Sequence, residues 1–376
     1  MKLSLNEPNL SKLELKYVKD VIEKNWLSIG GKHTKIFEKK FSKYLGTKYS
    51  LAVQSGTAAL HGTLRGLGVK KGDKVIIPNF TCNSNISSVS QCNAIPVIVE
   101  VEQETLGLDY DLVKKAIKKY KPKALQLVHV YGFPARDTFK IISLCKKENV
   151  KVIEDASEAL GSTLKNKKAG TFGDVSVFSI RSEKMIGVGE GAVISTNNKK
   201  IYENIKLICS RNSPYRSSRD PYWKKYYANG EGYNYLLPHL LGAVGRAQIE
   251  RFKKSILSKK VKVGNDYRKI FIHKKFTMTQ KILDNSKPCF WLNSVYFHSV
   301  SRDKVIKLAN QLTKLGIEIR PAFWPLNKLK GFKSIYVGGS VKVSELLFNK
   351  SLVLPSSYKL NSEDIKNIYN CILKNI

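Results

Sequence analysis

The chain has 376 residues, of which 42% are hydrophobic and 10% aromatic, and this composition predicts a globular protein with a sizeable core. Lysine and arginine number 65 against 30 acidic residues, so the formal net charge is +35. No apolar run approaches the roughly 20 residues of a membrane-spanning helix, and the polar start differs from a signal peptide. We therefore expect a cytoplasmic protein that does not enter a membrane.

The positive charge raises the possibility of a nucleic-acid-binding protein, because basic surfaces attract nucleic acids and other anions. The lysines, however, are spread from Lys2 to Lys374. No arginine-rich tract, zinc-finger spacing or RNA-binding aromatic motif accompanies them. We favour a generally basic surface over a dedicated nucleic-acid-binding face.

Six cysteines are scattered along the chain without a CxxC pair. This spacing disfavours both a zinc site and a disulfide framework. We therefore expect no metal centre, and we expect reduced thiols of which several lie in the core. The cysteines are Cys82, Cys92, Cys145, Cys209, Cys289 and Cys371.

The first two thirds of the chain alternate between strand and helix patterns. Two amphipathic helices come first, over residues 11–25 and 33–44. Seven short apolar strands follow, with helices between most of them. Apolar strands without polar alternation are buried on both faces, and the strand–helix–strand rhythm is typical of a parallel sheet. The prediction is an α/β fold with a mostly parallel seven-stranded sheet. The predicted strands are 51–54, 75–77, 96–99, 124–128, 150–153, 175–180 and 192–195.

The pattern changes in the last third of the chain. Residues 211–232 form a polar and aromatic stretch without periodicity, and loops of this length are usually functional or mobile. A long helical stretch follows, and the composition then becomes rich in lysine. We predict a large domain over residues 1–255 and a smaller α+β domain over residues 256–376.

Two residues at predicted strand ends suggest a particular chemistry. Asp155 ends an apolar strand, and a later strand leads to Lys184 in a glycine-rich segment. In parallel sheets, ligands bind beyond the carboxyl ends of the strands, so these side chains are expected to lie close together. A lysine that attaches an aldehyde and a carboxylate that pairs with a ring nitrogen would suit pyridoxal phosphate.

A possible phosphate site precedes them. Ser55, Gly56 and Thr57 stand between a strand and a helix. Hydroxyls and free N–H groups at a helix N-terminus bind phosphate well. Considered alone, the same residues fit an ordinary helix N-cap equally well.

Ten short motifs occur in an order that matches a known family. Together they span nearly the full length, and the chain resembles the pyridoxal phosphate-dependent sugar aminotransferases of the DegT/DnrJ/EryC1/StrS family. The resemblance implies a type I aminotransferase fold and a pyridoxal 5′-phosphate cofactor. The motifs are WLS, SGTAAL, VHVYGFPA, EDASEALGS, GTFGD, FSIRSEK, GEGA, EGYNY, AQIERF and LPSS.

The resemblance also assigns roles to individual residues. Lys184 matches the lysine that holds the cofactor and later acts as the base that moves the substrate proton. Asp155 matches the acid that pairs with the pyridine nitrogen. Glu158 lies where the family places Gln, His or Glu near the 3′ oxygen of the cofactor. A capping aspartate and a solvated helix glutamate are the structural alternatives for the two acids.

Further matches concern the cofactor phosphate. Ser55, Gly56 and Thr57 match the phosphate cradle, and Ser179 adds a hydroxyl to it. Asn234 matches a phosphate ligand that the neighbouring subunit donates. The resemblance therefore implies a homodimer with composite active sites.

Some positions depart from the family pattern. The family usually has an aromatic ring that stacks on the cofactor where this chain has Cys82, and Phe80 is a possible substitute. Leu236 stands where arginine is common. By position in the sequence, four residues are candidates for the substrate pocket: Trp26, Arg211, Arg320 and Trp324.

Within the family, residues 319–325 and 355–357 are similar to the perosamine synthase group. That group moves an amino group from L-glutamate to GDP-4-keto-6-deoxymannose, and glutamine is a second possible donor. A UDP- or dTDP-keto sugar and an eight-carbon keto acid sugar remain alternative acceptors. The related 3-dehydratases have histidine in place of Lys184. A non-catalytic basic regulatory or nucleic-acid-binding protein on this fold is the alternative from another class.

Overall fold

The computed structural model describes residues 2–215 and 220–376. Residues 216–219 of the predicted loop 211–232 lie outside this description. Among the described residues, no helix is long and apolar enough to cross a membrane.

Helices account for much of the described chain. A π-helical turn, Phe252–Leu257, continues α8 into α9, so one helical stretch crosses the predicted domain boundary. The helices are α1 (Lys12–Glu23), α2 (Lys32–Leu45), α3 (Gly56–Gly66), α4 (Ser84–Gln91), α5 (Tyr110–Tyr120), α6 (Thr138–Lys147), α7 (Lys199–Cys209), α8 (His239–Arg251), α9 (Ser258–Ile270), α10 (Arg302–Lys314), α11 (Val343–Lys350) and α12 (Ser362–Lys374).

The strands form three sheets in the described part of the chain. The strands are β1 (Tyr49–Val53), β2 (Lys74–Pro78), β3 (Ile95–Val99), β4 (Ala124–Val128), β5 (Lys151–Asp155), β6 (Thr163–Leu164), β7 (Lys167–Lys168), β8 (Val175–Ser179), β9 (Ala192–Thr196), β10 (Ile272–His273), β11 (Phe276–Met278), β12 (Ser286–Lys287), β13 (Asn293–Phe297), β14 (Arg320–Pro321), β15 (Ile335–Val337) and β16 (Ser351–Leu354).

The large sheet has the order β1-β9-β8-β5-β4-β2-β3-β15. Only β9 runs against its neighbours there, so the predicted α/β fold with a mostly parallel sheet is confirmed. The sheet has eight strands rather than the predicted seven. Sequence analysis missed β15 because it is a three-residue, half-buried edge strand beside a glycine pair, so it shows neither a long apolar run nor an alternating pattern.

The C-terminal part of the chain builds a second sheet with the order β10-β11-β13-β16-β14. All of its pairs are antiparallel, and α9, α10 and α12 contribute to the separate apolar core beside it. Tyr267 and Phe276 lie at the centre of that core with 0% exposure. This is the predicted α+β arrangement, although β15 leaves it to join the large sheet. The division at residues 255 and 256 stays a prediction.

The register of the large sheet brings the site motifs together. Val128 pairs with Asp155, and Asp155 pairs with Val177 on the next strand. Strands β4, β5 and β8 therefore end at the same edge, and α3 begins at this edge after β1. Asp155, Lys184 and the N-terminus of α3 meet there for this reason.

A buried ion pair fastens the first helix to α8. Ser11 caps α1, and its N–H and hydroxyl both donate to Glu14 in a capping box. The same carboxylate accepts bonds from Gln248 and Arg251. Burial acts to raise the pKa of Glu14, but hydrogen bonds from Ser11 and Arg251 outweigh it and hold that pKa below its ordinary value.

Replacing Arg251 by methionine is expected to destabilise the protein by about 3 kcal/mol at pH 7, because it leaves a buried carboxylate without its cation. The pair stabilises the fold above the unfolded-state pKa of about 4.3, and this contribution disappears as pH falls through the lower folded-state pKa. Urea unfolding at pH 7 and near pH 3.5 measures the free energy of unfolding that the substitution costs at each pH. The exposed neighbour Lys254→Met is the control. An equal cost at both pH values would contradict this account.

Candidate active site

A cavity of about 300 Å³ lies at the carboxyl edge of the large sheet. Strand β1 leads into it through the N-terminus of α3, and β5 and β8 end beside it. Seven of the residues singled out from the sequence line it together: Ser55, Gly56, Thr57, Cys82, Glu158, Ser179 and Lys184.

Lys184 points into this cavity. Its side chain is only 12% exposed, in contrast to the many solvated lysines of this chain. The Nζ atom lies 3.3 Å from Glu158 Oε1 and 3.4 Å from the ring centroid of Trp291. Backbone bonds from Lys184 to Arg181 and from Ser182 to Gly189 fold the supporting loop tightly. The amine is thus held at a defined place.

Glu158 is a buried partner of this lysine. Its Oε2 accepts the Tyr131 N–H at 2.7 Å, while Oε1 faces Lys184. Burial raises the pKa of the Glu158 carboxyl, although the Lys184 charge and the Tyr131 N–H act in the opposite direction. It is not a solvated helix glutamate.

Asp155 is 5% exposed and does not itself line the cavity. Its Oδ2 accepts a hydrogen bond from Asn85 Nδ2 at 2.9 Å, and its Oδ1 accepts the Ser157 N–H at 3.1 Å. Asn85 is in turn held by Thr81 and Gln126, at 2.9 and 2.8 Å. The carboxylate is therefore fixed by a buried network that the sequence did not reveal.

The N-terminus of α3 provides the groups that a phosphate requires. The N–H groups of Gly56 and Thr57 are in the first helical turn, where no intrahelical partner exists. The Ser55 hydroxyl already caps the helix by accepting the Ala58 N–H at 3.1 Å. Ser179 lies close to Gly56: a Cβ atom added to Gly56 would be 3.5 Å from the Ser179 Cβ. Donors for an anion and a neighbouring amine suit pyridoxal phosphate.

Cys82 lines the cavity with an exposed thiol, and its Sγ lies 3.4 Å from Ser84 Oγ. Phe80 does not replace the missing aromatic ring. It is 1% exposed and packs edge-on against Phe323, with the ring centroids 5.5 Å apart. The aromatic rings that line the cavity belong to Phe323 and Trp291 instead.

Asn234 lies outside the cavity of its own chain. It is exposed and pairs with Ser210 in an isolated antiparallel bridge. Arg211 is also exposed, and its N–H donates to the Tyr233 carbonyl on the same ribbon. The two residues are therefore neighbours at the ends of the loop 211–232, and their predicted roles stay predictions.

The other three substrate candidates do not line the cavity either, although Trp324 directly follows the lining residue Phe323. Trp26 is 56% exposed, and Trp324 is 48% exposed and packs edge-on against Phe348. Arg320 is paired with Glu318 at 2.8 Å. Within one chain, none of the three lines the cavity.

Sequence analysis missed several lining residues. Ser157 and Arg181 lie inside motifs that were recognised, so the motifs themselves contained the signal. Phe323 likewise lies inside the recognised segment 319–325, whereas Trp291 comes from a segment without a distinctive pattern.

Glu158 is expected to make the stability of the cofactor-free protein depend on pH. The stability of Glu158→Gln relative to wild type should therefore increase as pH rises from about 5 to 8. A carboxyl with a raised folded-state pKa contributes stability at low pH that is lost as pH rises through that pKa. Glutamine does not titrate and can still accept the Tyr131 N–H. Thermal unfolding at several pH values measures the difference. The half-exposed Glu183→Gln is the control, and parallel profiles for both variants and wild type would contradict the expectation.

The chain is similar to known proteins over nearly its full length. The model of the DegT/DnrJ/EryC1/StrS aminotransferase family matches residues 8–373. The chain is 34% identical to the GDP-perosamine synthase of Vibrio cholerae, over 97% of each chain. It is 31% identical to the GDP-perosamine synthase of Escherichia coli O157:H7, over 97% of this chain and 95% of that one.

Solved structures share the fold. The aminotransferase PseC of Helicobacter pylori superposes with a TM-score of 0.89 at 25% identity, covering 100% of this chain and 99% of that one. A GDP-4-keto-6-deoxymannose-3-dehydratase has a TM-score of 0.89 at 24% identity, covering 98% and 100%. The predicted type I aminotransferase fold is confirmed, and the protein is a pyridoxal phosphate-dependent enzyme. The chain belongs to the DegT/DnrJ/EryC1/StrS aminotransferase family.

Proposed function

We propose that this enzyme moves an amino group from L-glutamate or glutamine to a nucleotide-linked 4-keto-6-deoxy sugar, with GDP-4-keto-6-deoxymannose as the first candidate. The observation that carries the proposal is the partly buried Lys184 amine in the cavity at the sheet edge, 3.3 Å from Glu158. The similarity to two GDP-perosamine synthases over 97% of the chain supports the choice of acceptor.

The residues in and beside the cavity would have different roles in the reaction. Pyridoxal phosphate, when bound, supplies an electron sink for the carbon that loses its proton. Lys184 would hold the cofactor and, once displaced by the amino donor, take up the proton from the donor Cα and later deliver a proton to the sugar C4. Asp155 would pair with the ring nitrogen. The N–H groups of Gly56 and Thr57 and the hydroxyl of Ser179 would bind the phosphate.

Glu158 would have an orienting role. It holds the free amine at 3.3 Å, and its other oxygen is occupied by the Tyr131 N–H. In the cofactor-bound enzyme it would face the ring oxygen, as the family resemblance implies. Burial raises the pKa of this carboxyl, and the Lys184 charge opposes that effect.

We further propose a homodimer in which Asn234 completes the phosphate site of the partner. Its exposure and its absence from the residues that line the cavity of its own chain are consistent with this role. A cytoplasmic location is proposed because all six cysteines are free thiols, four of them buried, which is typical of a reducing compartment.

The charge of +35 supports an anionic substrate, since a basic surface accelerates the association of a nucleotide diphosphate. A 3-dehydratase is disfavoured, because Lys184 occupies the position where those enzymes have histidine. The site gives no comparable support to a nucleic-acid-binding function.

A panel of nucleotide keto sugars with glutamate as donor tests the substrate. We expect an aminated product from GDP-4-keto-6-deoxymannose that is identified by mass spectrometry. Glutamate is replaced by glutamine in a parallel series, and enzyme without added donor is the control. Product from UDP- or dTDP-keto sugars alone would contradict the proposed acceptor while leaving the aminotransferase assignment intact. Release of the 3-hydroxyl instead of amination would show a dehydratase.

A further inference from the structure

Trp291 is a second residue, besides Glu158, that contacts the Lys184 amine. It precedes β13 in the C-terminal part of the chain, and it is 5% exposed. The Nζ atom of Lys184 lies 3.4 Å from the centroid of its ring. This is well inside the range of about 6 Å in which a cation interacts favourably with the face of an indole.

The indole ring of Trp291 is held in place by a hydrogen bond from its Nε1 atom. Trp291 Nε1 donates a hydrogen bond of 2.6 Å to the Glu183 carbonyl, and Glu183 directly precedes Lys184. Asn6 Nδ2 donates to the same carbonyl at 2.5 Å. The backbone that leads to the lysine is therefore tied both to the ring that its amine contacts and to the N-terminal segment.

The backbone of Trp291 is fixed by Lys260. This lysine is 3% exposed on α9, and its Nζ donates to the Trp291 carbonyl at 2.6 Å and to the Ser356 carbonyl. The Asn6 Oδ1 atom lies 3.4 Å from it. Three oxygens thus match the three N–H donors of one ammonium group. Among the described residues, no carboxylate forms an ion pair with Lys260.

Burying a lysine without a carboxylate is unfavourable, and burial lowers the pKa of Lys260 to about 7. A residue that only filled the space occupied by Lys260 would not need an amino group. This lysine instead connects three segments that are distant in sequence, at Asn6, Trp291 and Ser356. This connection would hold the backbone of Trp291 in a defined position.

The turn before Trp291 is strained. Phe290 has φ +52°, a left-handed conformation that is rare for a bulky side chain. Its ring packs on α9 at Gly264, where an added Cβ would lie 2.1 Å from the Phe290 Cγ. Gly264 and Lys260 are one helical turn apart, so the same face of α9 supports both Phe290 and Trp291. Such strain persists where the surrounding structure imposes it, and it clusters at functional sites.

We propose that Trp291 is a positioning residue for Lys184, and that Lys260 and Asn6 lock the indole in place. The indole face holds the free amine over the cavity whenever the amine is not bonded to the cofactor. Without it, Glu158 alone would hold the amine, which could then turn toward Glu183 and Glu190, the carboxylates that pair with Arg181 at the cavity wall. This inference rests on the proposed role of Lys184 as the cofactor lysine.

The test uses cofactor-free protein and does not depend on activity. Acetic anhydride labels neutral amines, and mass spectrometry follows the modification of Lys184 across a pH series. The midpoint of this profile reports how strongly the surroundings favour the charged amine, whereas the plateau rate reports access. We expect Trp291→Leu to move the midpoint to lower pH by at least about half a unit, because a cation–π contact is lost. Trp291→Phe should recover part of the shift.

The support for the ring is tested in the same way. Lys260→Met and Asn6→Ala should each shift the midpoint in the same direction by a smaller amount. The exposed neighbour Lys259→Met and the exposed Trp223→Leu should leave it unchanged. If Trp291→Leu or Lys260→Met fails to fold, Trp291→Phe and Asn6→Ala decide the question.

An unchanged midpoint in folded Trp291 variants would overturn the proposal. A lower unfolding temperature for Lys260→Met and Asn6→Ala without a shift of the midpoint would show that these residues only stabilise the fold. The role of Lys184 is measured separately, by the visible absorbance of the cofactor-loaded Lys184→Ala variant. A failure of that assignment is therefore distinguishable from a failure of the role of Trp291.

Discussion

Replacing Lys184 by alanine is expected to abolish amino transfer, with a fall in kcat of more than about 10⁴-fold. The variant loses both the amine that holds the cofactor and the base that moves the proton. The cofactor can still bind through its phosphate and ring nitrogen, so a change in its visible absorbance should accompany the loss of activity. Steady-state kinetics and spectra of the loaded variant measure the two effects.

The many lysines of this chain make the control important. Lys200→Ala removes an exposed lysine from α7 and should leave both kcat and the spectrum unchanged. Retention of more than about a tenth of the activity by Lys184→Ala would conflict with a role in proton transfer, since a positioned base contributes about 10²-fold or more. A loss of folding would be seen in circular dichroism, and Lys184→Arg, which keeps a long charged side chain at this position, would then be the informative variant.

Replacing Asp155 by asparagine is expected to lower kcat by about 10²–10³-fold, the usual effect of removing one charge-stabilising group from an active site. The asparagine oxygen can still accept the Ser157 N–H. Its amide, however, would face the Asn85 amide that now donates at 2.9 Å, so Asn85 would have to reorient. Asn85→Ala should therefore lower kcat in the same direction, but less than Asp155→Asn.

A matched aspartate separates catalysis from stability. Asp174 immediately precedes β8, at the opposite edge of the sheet, and its carboxylate accepts the Val152 N–H at 2.9 Å. Asp174→Asn should affect the unfolding temperature and leave kcat within about twofold, the level expected for a residue remote from the chemistry. If both aspartate variants lowered kcat equally, the pairing of Asp155 with the ring nitrogen would be the wrong explanation.

Local patterns were sufficient to predict the framework of the large sheet. Its seven long strands are apolar runs bounded by turns, so each was recognisable without knowledge of its neighbours. The positions of Asp155 and Lys184 followed from the rule that parallel strands end at one edge. The family motifs added the phosphate cradle, because Ser55, Gly56 and Thr57 considered alone also fit an N-cap, which Ser55 in fact forms.

The missed features depend on contacts between distant segments. Trp291 lies more than a hundred residues after Lys184 in the chain, and nothing in its local sequence shows that its ring meets the amine. Lys260 was one lysine among many until its burial was seen. Phe80 was a plausible stacking residue, but its burial against Phe323 decides otherwise. Such contacts depend on how distant segments pack in the folded protein, and the local spacing of apolar residues does not reveal them.

Lys184 is assigned as the lysine that holds the cofactor. Borohydride reduction of the cofactor-loaded enzyme, followed by proteolysis and mass spectrometry, tests this assignment, because reduction makes the bond between a lysine and an aldehyde permanent. We expect the reduced cofactor on the peptide that contains Lys184 and on no other lysine peptide. Cofactor on a different lysine, or no modified lysine in a yellow protein, would contradict the account.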